Sequence, residues 1–319
     1  MGRILTLIFA ALMLSISANA RIKRVNNESE SNAQYASLEN ALIDCAAGDT
    51  IFIEGSTKAY GPGDAYGYDP IRINKPVTII GIGHSYKEND IVAYPIGESY
   101  IGSPLKIVSP RVNIIGCILP SIEIYSNECQ VVRCQVLAGS QNAIEVADTV
   151  NGCIIRQSFL VGNVQGNGYP QNVSILNNII CGNVTQFERS RIERNTFGKY
   201  NRFGGIRNLR FCSVIENVFN QNLKNSQTNT CSMLNNFIGD FTRDIESDDF
   251  SLDRNYRIKV ESSLYNKASD GDQLGAFGGP LPYVISGLSD APIIKSYSAP
   301  SEVNSRTGLE VTITYKLDR

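Results

Sequence analysis

"SILNNII", residues 174–180, breaks a short apolar run with two asparagines and then resumes it. Asn is a poor strand former and a poor helix former, so its place inside such a run needs a cause. Nearly the same stretch returns at "RIERNTF" (191–197), "SVIENVF" (213–219) and "SMLNNFI" (232–238). Weaker copies stand upstream at "NIIGCIL" (113–119), "VVRCQVL" (131–137) and "IIRQSFL" (154–160). "VTIIGIG" (77–83) is an earlier copy, with Ile82 at the matching position. Aligned on the Asn, that position holds Cys117, Gln135, Ser158, Asn178, Asn195, Asn217 and Asn236. The gaps are 18, 23, 20, 17, 22 and 19 residues, a period of about 20.

A period of this size points to a solenoid or a similar array. The units are rich in Ile, Val and Phe, with apolar and polar residues alternating over a few positions, which is strand chemistry. Leucine-rich repeats need a recurring leucine framework, and helical repeats need longer amphipathic stretches; the chain has neither. A parallel β-helix remains, each repeat being one coil of short strands and turns. In a coil, one strand ends and the next begins at a sharp bend, and Asn tolerates the left-handed backbone such a bend needs. Coils stack about 4.8 Å apart, so equivalent Asn side chains would lie above one another and bond along the stack as a ladder. Asn178, Asn195, Asn217 and Asn236 are the expected structural ladder. Cys153, Cys212 and Cys231 also share one aligned position, as a column of small buried sulfur side chains would.

Both open ends of a β-helix expose strand edges. At the start, Ser31-Asn32-Ala33-Gln34 has the form of a capping box, and Tyr35, Leu38, Leu42 and Cys45 follow at helical spacing. "AAGDT" then ends that helix, and "IFIEG" is expected to start the first strand. At the far end the repeat fades after Asp240. "LGAFGGPLPYVISG" is a Gly- and Pro-rich boundary, and residues 288–319 alternate as solvent-facing strands do. The expected division is an export signal over 1–20, a β-helix domain with its N-terminal cap over 21–287, and a small C-terminal β-strand cap or Ig-like fragment over 288–319.

"MGRILTLIFAALMLSISANA" carries Arg3, an apolar stretch too short to span a membrane, and Ala18-Asn19-Ala20 as a cleavage site. The expectation is a secreted or outer-surface protein after signal removal, with no transmembrane segment in the mature chain. The formal charge of -2 becomes -3 when Arg3 leaves with the signal. All 8 cysteines lie in the mature part without any CxxC, and His84 is the one histidine, which fits neither a disulfide framework nor a metal site.

The stretch "LENALIDCAAGDTIFIEG…IRINKPVTIIGIGHSYKEND" resembles the opening of right-handed parallel β-helix proteins of the pectin lyase-like superfamily, in which a capping helix, "GDTI" and "KPVTIIG" lead into the first coils. With the signal and "LGAFGG…PY", the chain is similar to secreted β-helix proteins of Bacteroidota-type bacteria. The resemblance spans about residues 35 to 285. It implies an all-β, right-handed, single-stranded parallel β-helix with an N-terminal capping helix. It does not imply an activity, because the fold hosts lyases, hydrolases, esterases, epimerases, adhesins and inert fibres.

The superfamily's chemistry is incomplete here. A polygalacturonase-like site needs paired aspartates, a Gly-His-Gly stretch and an Arg-Ile-Lys stretch; Arg257-Ile258-Lys259 is present, but the one histidine is in "IGHSY". For a methylesterase-like site, "GDFTRD" (239–244) is only an echo. Pectate lyase-like chemistry needs a basic residue and Ca²⁺ held by aspartates; Asp244, Asp248 and Asp249 would be its calcium ligands, and no cofactor is expected outside that alternative. The basic run "FERSRIERNTFGKYNRFGGIRNLR" (187–210) interleaves Arg189, Arg191, Arg194, Lys199, Arg202, Arg207 and Arg210 with Phe197, Tyr200 and Phe203. Arg suits carboxylate and sulfate through its forked donors. The expected ligand-binding residues are Arg191, Arg194, Tyr200, Arg202, Arg207 and Arg210, with Phe197 assigned to the core. The partner expected is acidic polysaccharide or cell-surface glycan, not nucleic acid, because an exported chain of net negative charge is a poor match for it. "NVS" at Asn172 and "NVT" at Asn183 match the glycan-acceptor pattern, as chance allows in an Asn-rich chain. The function expected is a non-catalytic binder of glycan or another extracellular macromolecule. A polysaccharide lyase acting on acidic polysaccharide is the alternative, and a purely structural module the second.

Overall fold

A computed structural model of the chain describes residues 20–61, 69–86, 97–138, 141–198, 205–220, 230–245, 251–288, 293–298 and 312–316. Residues 1–19, most of the expected export signal, lie outside them. Short strands wind into three parallel sheets, one per flank. Sheet A has ten strands, from Ile22–Val25 to Ser232–Leu234; sheet B has seven, from Ile118–Leu119 to Phe237–Gly239; sheet C has seven, from Ile71–Ile73 to Gly205–Arg207. The molecule is a parallel β-helix, wound with the right hand that parallel crossovers take.

Each flank sends one row of apolar side chains inward. On sheet A the row runs Ile114, Val131, Ile155, Ile175, Ile192 and Val214, paired in register from coil to coil. On sheet B, Leu119, Val136, Leu160, Ile180, Phe197 and Phe219 do the same, with Phe197 and Phe219 stacked at 4.5 Å between ring centroids. All are buried. Burying each such side chain contributes about 2 kcal/mol, repeated in every coil.

The start differs from the sequence expectation. The first strand is Ile22–Val25, ahead of the helix, and it pairs with Thr50–Ile53. The capping helix, α1, spans Leu38–Asp44, and its N-cap is Ser37, whose side chain accepts from Asn40 N–H. Ser31 accepts from Ala33 N–H instead, and Gln34 is occupied by Arg24 N–H, so the expected capping box is a local turn. Lys75 closes the other end by donating to the carbonyls of Leu42, Ile43 and Cys45, a cation where the helix leaves its carbonyls unpaired.

After a short helix, α2, at Phe241–Asp244, residues 251–288 form a strap that runs back along the outside of sheet B. Gly275 N–H donates to Glu216 O, Asn177 Nδ2 to Ala276 O and Gly278 O, Gln157 Nε2 to Pro282 O, and Arg133 Nη1 to Leu288 O. As the strap advances, its coil partners recede. Sheet B is therefore buried on both faces as far as Val218–Asn220, while Ile238 in its last strand is exposed. Phe159, Ile179 and Val218 point outward into a second apolar cluster with Phe241, Tyr256, Phe277 and Tyr283 of the C-terminal segment. Strands Ile293–Ser298 and Thr312–Lys316 pair as an antiparallel two-stranded unit.

No disulfide forms; all eight cysteines are free thiols, and all but Cys231 are fully buried. No helix among the described residues is long and apolar enough to cross a membrane.

Candidate functional site

The corner between sheets A and B carries the Asn column. Asn178 Nδ2 donates to Asn195 Oδ1 at 3.0 Å, Asn195 Nδ2 to Asn217 Oδ1 at 3.0 Å and Asn217 Nδ2 to Asn236 Oδ1 at 2.9 Å. Each Oδ1 also accepts the backbone N–H of the Asn in the preceding coil. Each Nδ2 reaches a carbonyl of the preceding coil as well: Ile155, Ile175, Ile192 and Val214.

Two details correct the sequence alignment. The strand register pairs Ile118 with Gln135 and Gln135 with Phe159, so the column continues through Ser158 to Cys134 and Cys117, not to Gln135. Cys134 Sγ occupies the donor's place and reaches Ile114 O at 3.5 Å. The left-handed residue is also not the ladder Asn but the one before it. Arg133, Gln157, Asn177, Arg194, Glu216 and Asn235 have φ between 49° and 54°. A left-handed residue turns the chain so that the next side chain points into the corner. The ladder needs Asn for its amide, and the preceding residue bears the backbone cost of about 1–2 kcal/mol.

The expected binding residues fall in different places. Arg194, one of those left-handed residues, is buried under the strap. Its Nη2 lies 2.7 Å from both Glu216 Oε2 and Asp270 Oδ2, with side chains 7%, 2% and 45% exposed. It fastens the strap and offers nothing to a surface ligand. Burial works to raise the Glu216 carboxyl, but hydrogen bonds from Ser269 and the Arg194 charge outweigh it and hold it below the usual range. Tyr200 and Arg202 lie outside the described residues. Asp244 is buried and occupied by Arg243 and Ser262, while Asp248 and Asp249 lie outside the described residues. Among the described residues no group of three or more His, Cys, Asp or Glu side chains could hold a metal ion.

Arg191, Arg207 and Arg210 stand at or beside the corner between sheets C and A. Arg207 ends the last sheet C strand on its outward side, and Arg210 follows within the bend. Bridges stack Asn151, Gln171, Glu188 and Arg210 coil upon coil, which sets Arg210 above Glu188 and Arg189. The Arg210 guanidinium lies over the Tyr169 ring at 3.6 Å from its centroid. Arg189 lies over Phe211 at 5.7 Å, and Phe211 is 58% exposed. Arg189 pairs with Glu188 and Arg191 with Glu193. Among the described residues no carboxylate pairs with Arg207 or Arg210. Tyr169, Arg189 and Phe211 complete this corner but were not among the expected binding residues; the spacing of Arg189 and Phe211, one coil apart, was the available signal.

Farther along the sheet C flank, Ser121, Glu123, Gln141, Asn142, Glu145 and Asn163 line a polar groove of about 430 Å³. Lys106 Nζ stands 3.5 Å from Glu123 and 4.6 Å from the centroid of the Tyr125 ring. Asn142 Nδ2 donates to Glu145 at 2.7 Å. The two asparagines of the glycan-acceptor pattern are engaged in further ladders: Asn172 Nδ2 donates to Asn151 and Asn183 Nδ2 to Asn163.

No family model matches the sequence, and no curated protein matches it. Among solved structures, the chain is similar to the crystal structure of pectate lyase Pel9A at 12% identity and a TM-score of 0.41, over 81% of this chain and 96% of that one. At that identity and score the likeness carries no information about chemistry.

Proposed function

We propose that this protein is an extracellular, non-catalytic binder of anionic glycan, and that the ligand seats on the corner formed by Tyr169, Arg189, Arg207, Arg210 and Phe211. The observation that carries this reading is the Arg210–Tyr169 stack. A ring under one face fixes the guanidinium plane and leaves its N–H edge open, the geometry for bidentate donation to carboxylate or sulfate. Exposed Phe211 beside it presents an apolar face to a sugar ring. Glu188 and Glu193 are engaged by Arg189 and Arg191, so the corner is a set of donors and ring faces.

The test is retention on immobilised acidic and neutral glycans. Arg210→Ala and Arg207→Ala are expected to weaken retention on acidic glycan about five- to tenfold each at low salt, with the difference shrinking as salt screens it. Retention on neutral glycan is expected to stay the same. Unchanged retention of both variants on acidic glycan would remove the corner from the reading. Release of unsaturated ends from polyuronide in the presence of Ca²⁺ would turn the reading to a lyase.

A further inference from the structure

His84, the chain's one histidine, is fully buried. It sits in the bend 81–86 of an early coil, beneath the far end of the strap. Its backbone N–H donates to Ser286 O at 2.8 Å, and Ser286 Oγ donates to Ser85 O at 3.3 Å. Gly287 closes over the ring: a Cβ there would stand 3.1 Å from His84 Cδ2 and 2.2 Å from Arg133 O. Among the described residues neither imidazole nitrogen has a hydrogen-bond partner, and the neighbouring Tyr86 hydroxyl has none either.

The surroundings disfavour a cation on that ring. Burial lowers the His84 pKa, and the opposing influence of the Asp253 carboxylate is smaller. Asp253 is turned to the strap itself, accepting from Tyr283 OH at 2.9 Å and from Ser286 N–H at 2.7 Å. Among the described residues, the other titratable or charged groups near the bend include Tyr86 and Glu98 on the early coil, Cys117, Arg133 and Cys134 on the next two, and Tyr283 on the strap. Glu98 accepts from Ser85 N–H at 2.5 Å, and Arg133 donates to Leu288 O at 2.9 Å.

The strap is fastened unevenly. Midway it is held by the Arg194–Glu216–Asp270 cluster and by two bonds from Asn177. Near His84 it is held by hydrogen bonds to backbone carbonyls. A proton arriving on the imidazole must be solvated, and the strap end closes on the ring at Gly287 through backbone contacts.

We infer that His84 is an acid-operated latch: when its imidazole takes up a proton, the Tyr283–Leu288 end of the strap lifts from the early coils while the coils stay stacked. A histidine that is neutral when closed and charged when open favours the closed form above the ordinary histidine range near pH 6.5. Below that range the open form gains about tenfold per pH unit for one proton taken up.

Hydrogen exchange at His84 and Tyr283, whose N–H groups donate to Ser286 O and Ala276 O across the edge of the lifting segment, reads the latch directly. Corrected for the intrinsic rate, exchange there is expected to quicken about tenfold per pH unit below about 6.5 in the wild-type protein. Gly275, bonded to Glu216 O in the middle of the strap, is expected to stay protected. His84→Gln, which cannot charge, is expected to exchange independently of pH at position 84 and at Tyr283. A second reading needs no variant: the single histidine gives one Cε1–H resonance, and its midpoint should coincide with the rise in strap exchange. An imidazole that titrates while strap protection is unchanged would overturn the latch. A rise in strap exchange that survives in His84→Gln would overturn it as well.

Discussion

Asn195 shows what one residue does in this fold. Its Nδ2 reaches Ile175 O, Glu193 O and Asn217 Oδ1, and its Oδ1 accepts from Asn178 N–H and Nδ2. The side chain sits inside a buried corner, where unpaired polar groups are expensive. Asn195→Ala would leave donors of Asn178 and acceptors of the neighbouring coils unpaired. The expected loss is about 3 kcal/mol, seen as a lower urea midpoint at unchanged slope. Cys134 holds the same place three coils earlier with a thiol, a weaker donor reaching the equivalent carbonyl at 3.5 Å. Its surroundings are dry enough that burial pushes the thiol up to about 12.

The strap is the element that gives the left-handed column its chemistry. A Gly would adopt φ near 50° without strain, yet the corner uses Arg133, Gln157, Asn177, Arg194 and Glu216. Each of these side chains bonds the strap. The C-to-A corner has left-handed residues too, Arg189 at 45° and Phe211 at 51°, but no strap lies over them. The same substitution is therefore expected to act differently at the two corners. Asn177→Gly removes two buried hydrogen bonds to the strap and should cost about 2 kcal/mol, with faster proteolysis between residues 251 and 288. Phe211→Gly relieves backbone strain against the greater freedom of Gly in the unfolded chain, so denaturant unfolding should move by less than about 0.5 kcal/mol.

At the scale of the whole molecule, the flanks differ in their cover. Among the described residues the strap covers sheet B, which leaves the proposed ligand sheets A and C and the corner between them. The same division sets the response to acid. His84 is held below its ordinary pKa by burial, so its contribution to stability is present above about pH 6.5 and is lost as pH falls below that value. The depressed carboxylates behave in a lower window. Asp270 is held down by its bond to Arg194, Asp244 by Arg243, and Glu28 to about 2 by Thr57. Their contribution is present above about pH 4 and is lost as pH falls through their depressed values. Thermal unfolding at constant ionic strength should show a plateau near neutrality, a first decline below about pH 6.5 and a second below about pH 4. A Tm that stays level from pH 7 to about pH 4.5 would remove the histidine from this account.

The amino-acid sequence by itself determined the coil. The inward rows and the Asn column recur every twenty or so residues because each coil solves the same local problem of three short strands and their bends. That regularity survives in one dimension, so the ladder from Asn178 to Asn236 was legible. The register two coils before Asn178 was not, because Gln135 and Cys134 are adjacent and only strand pairing chooses between them. The strap was invisible for a stronger reason. Its bonds join residues as far apart as Ser85 and Ser286, 201 positions along the chain, and they follow no period. The arginines were likewise indistinguishable as letters in one basic run. Only the folded corner separated Arg194, buried beneath the strap, from Arg210, held open on Tyr169, because burial depends on what the rest of the chain lays over a residue.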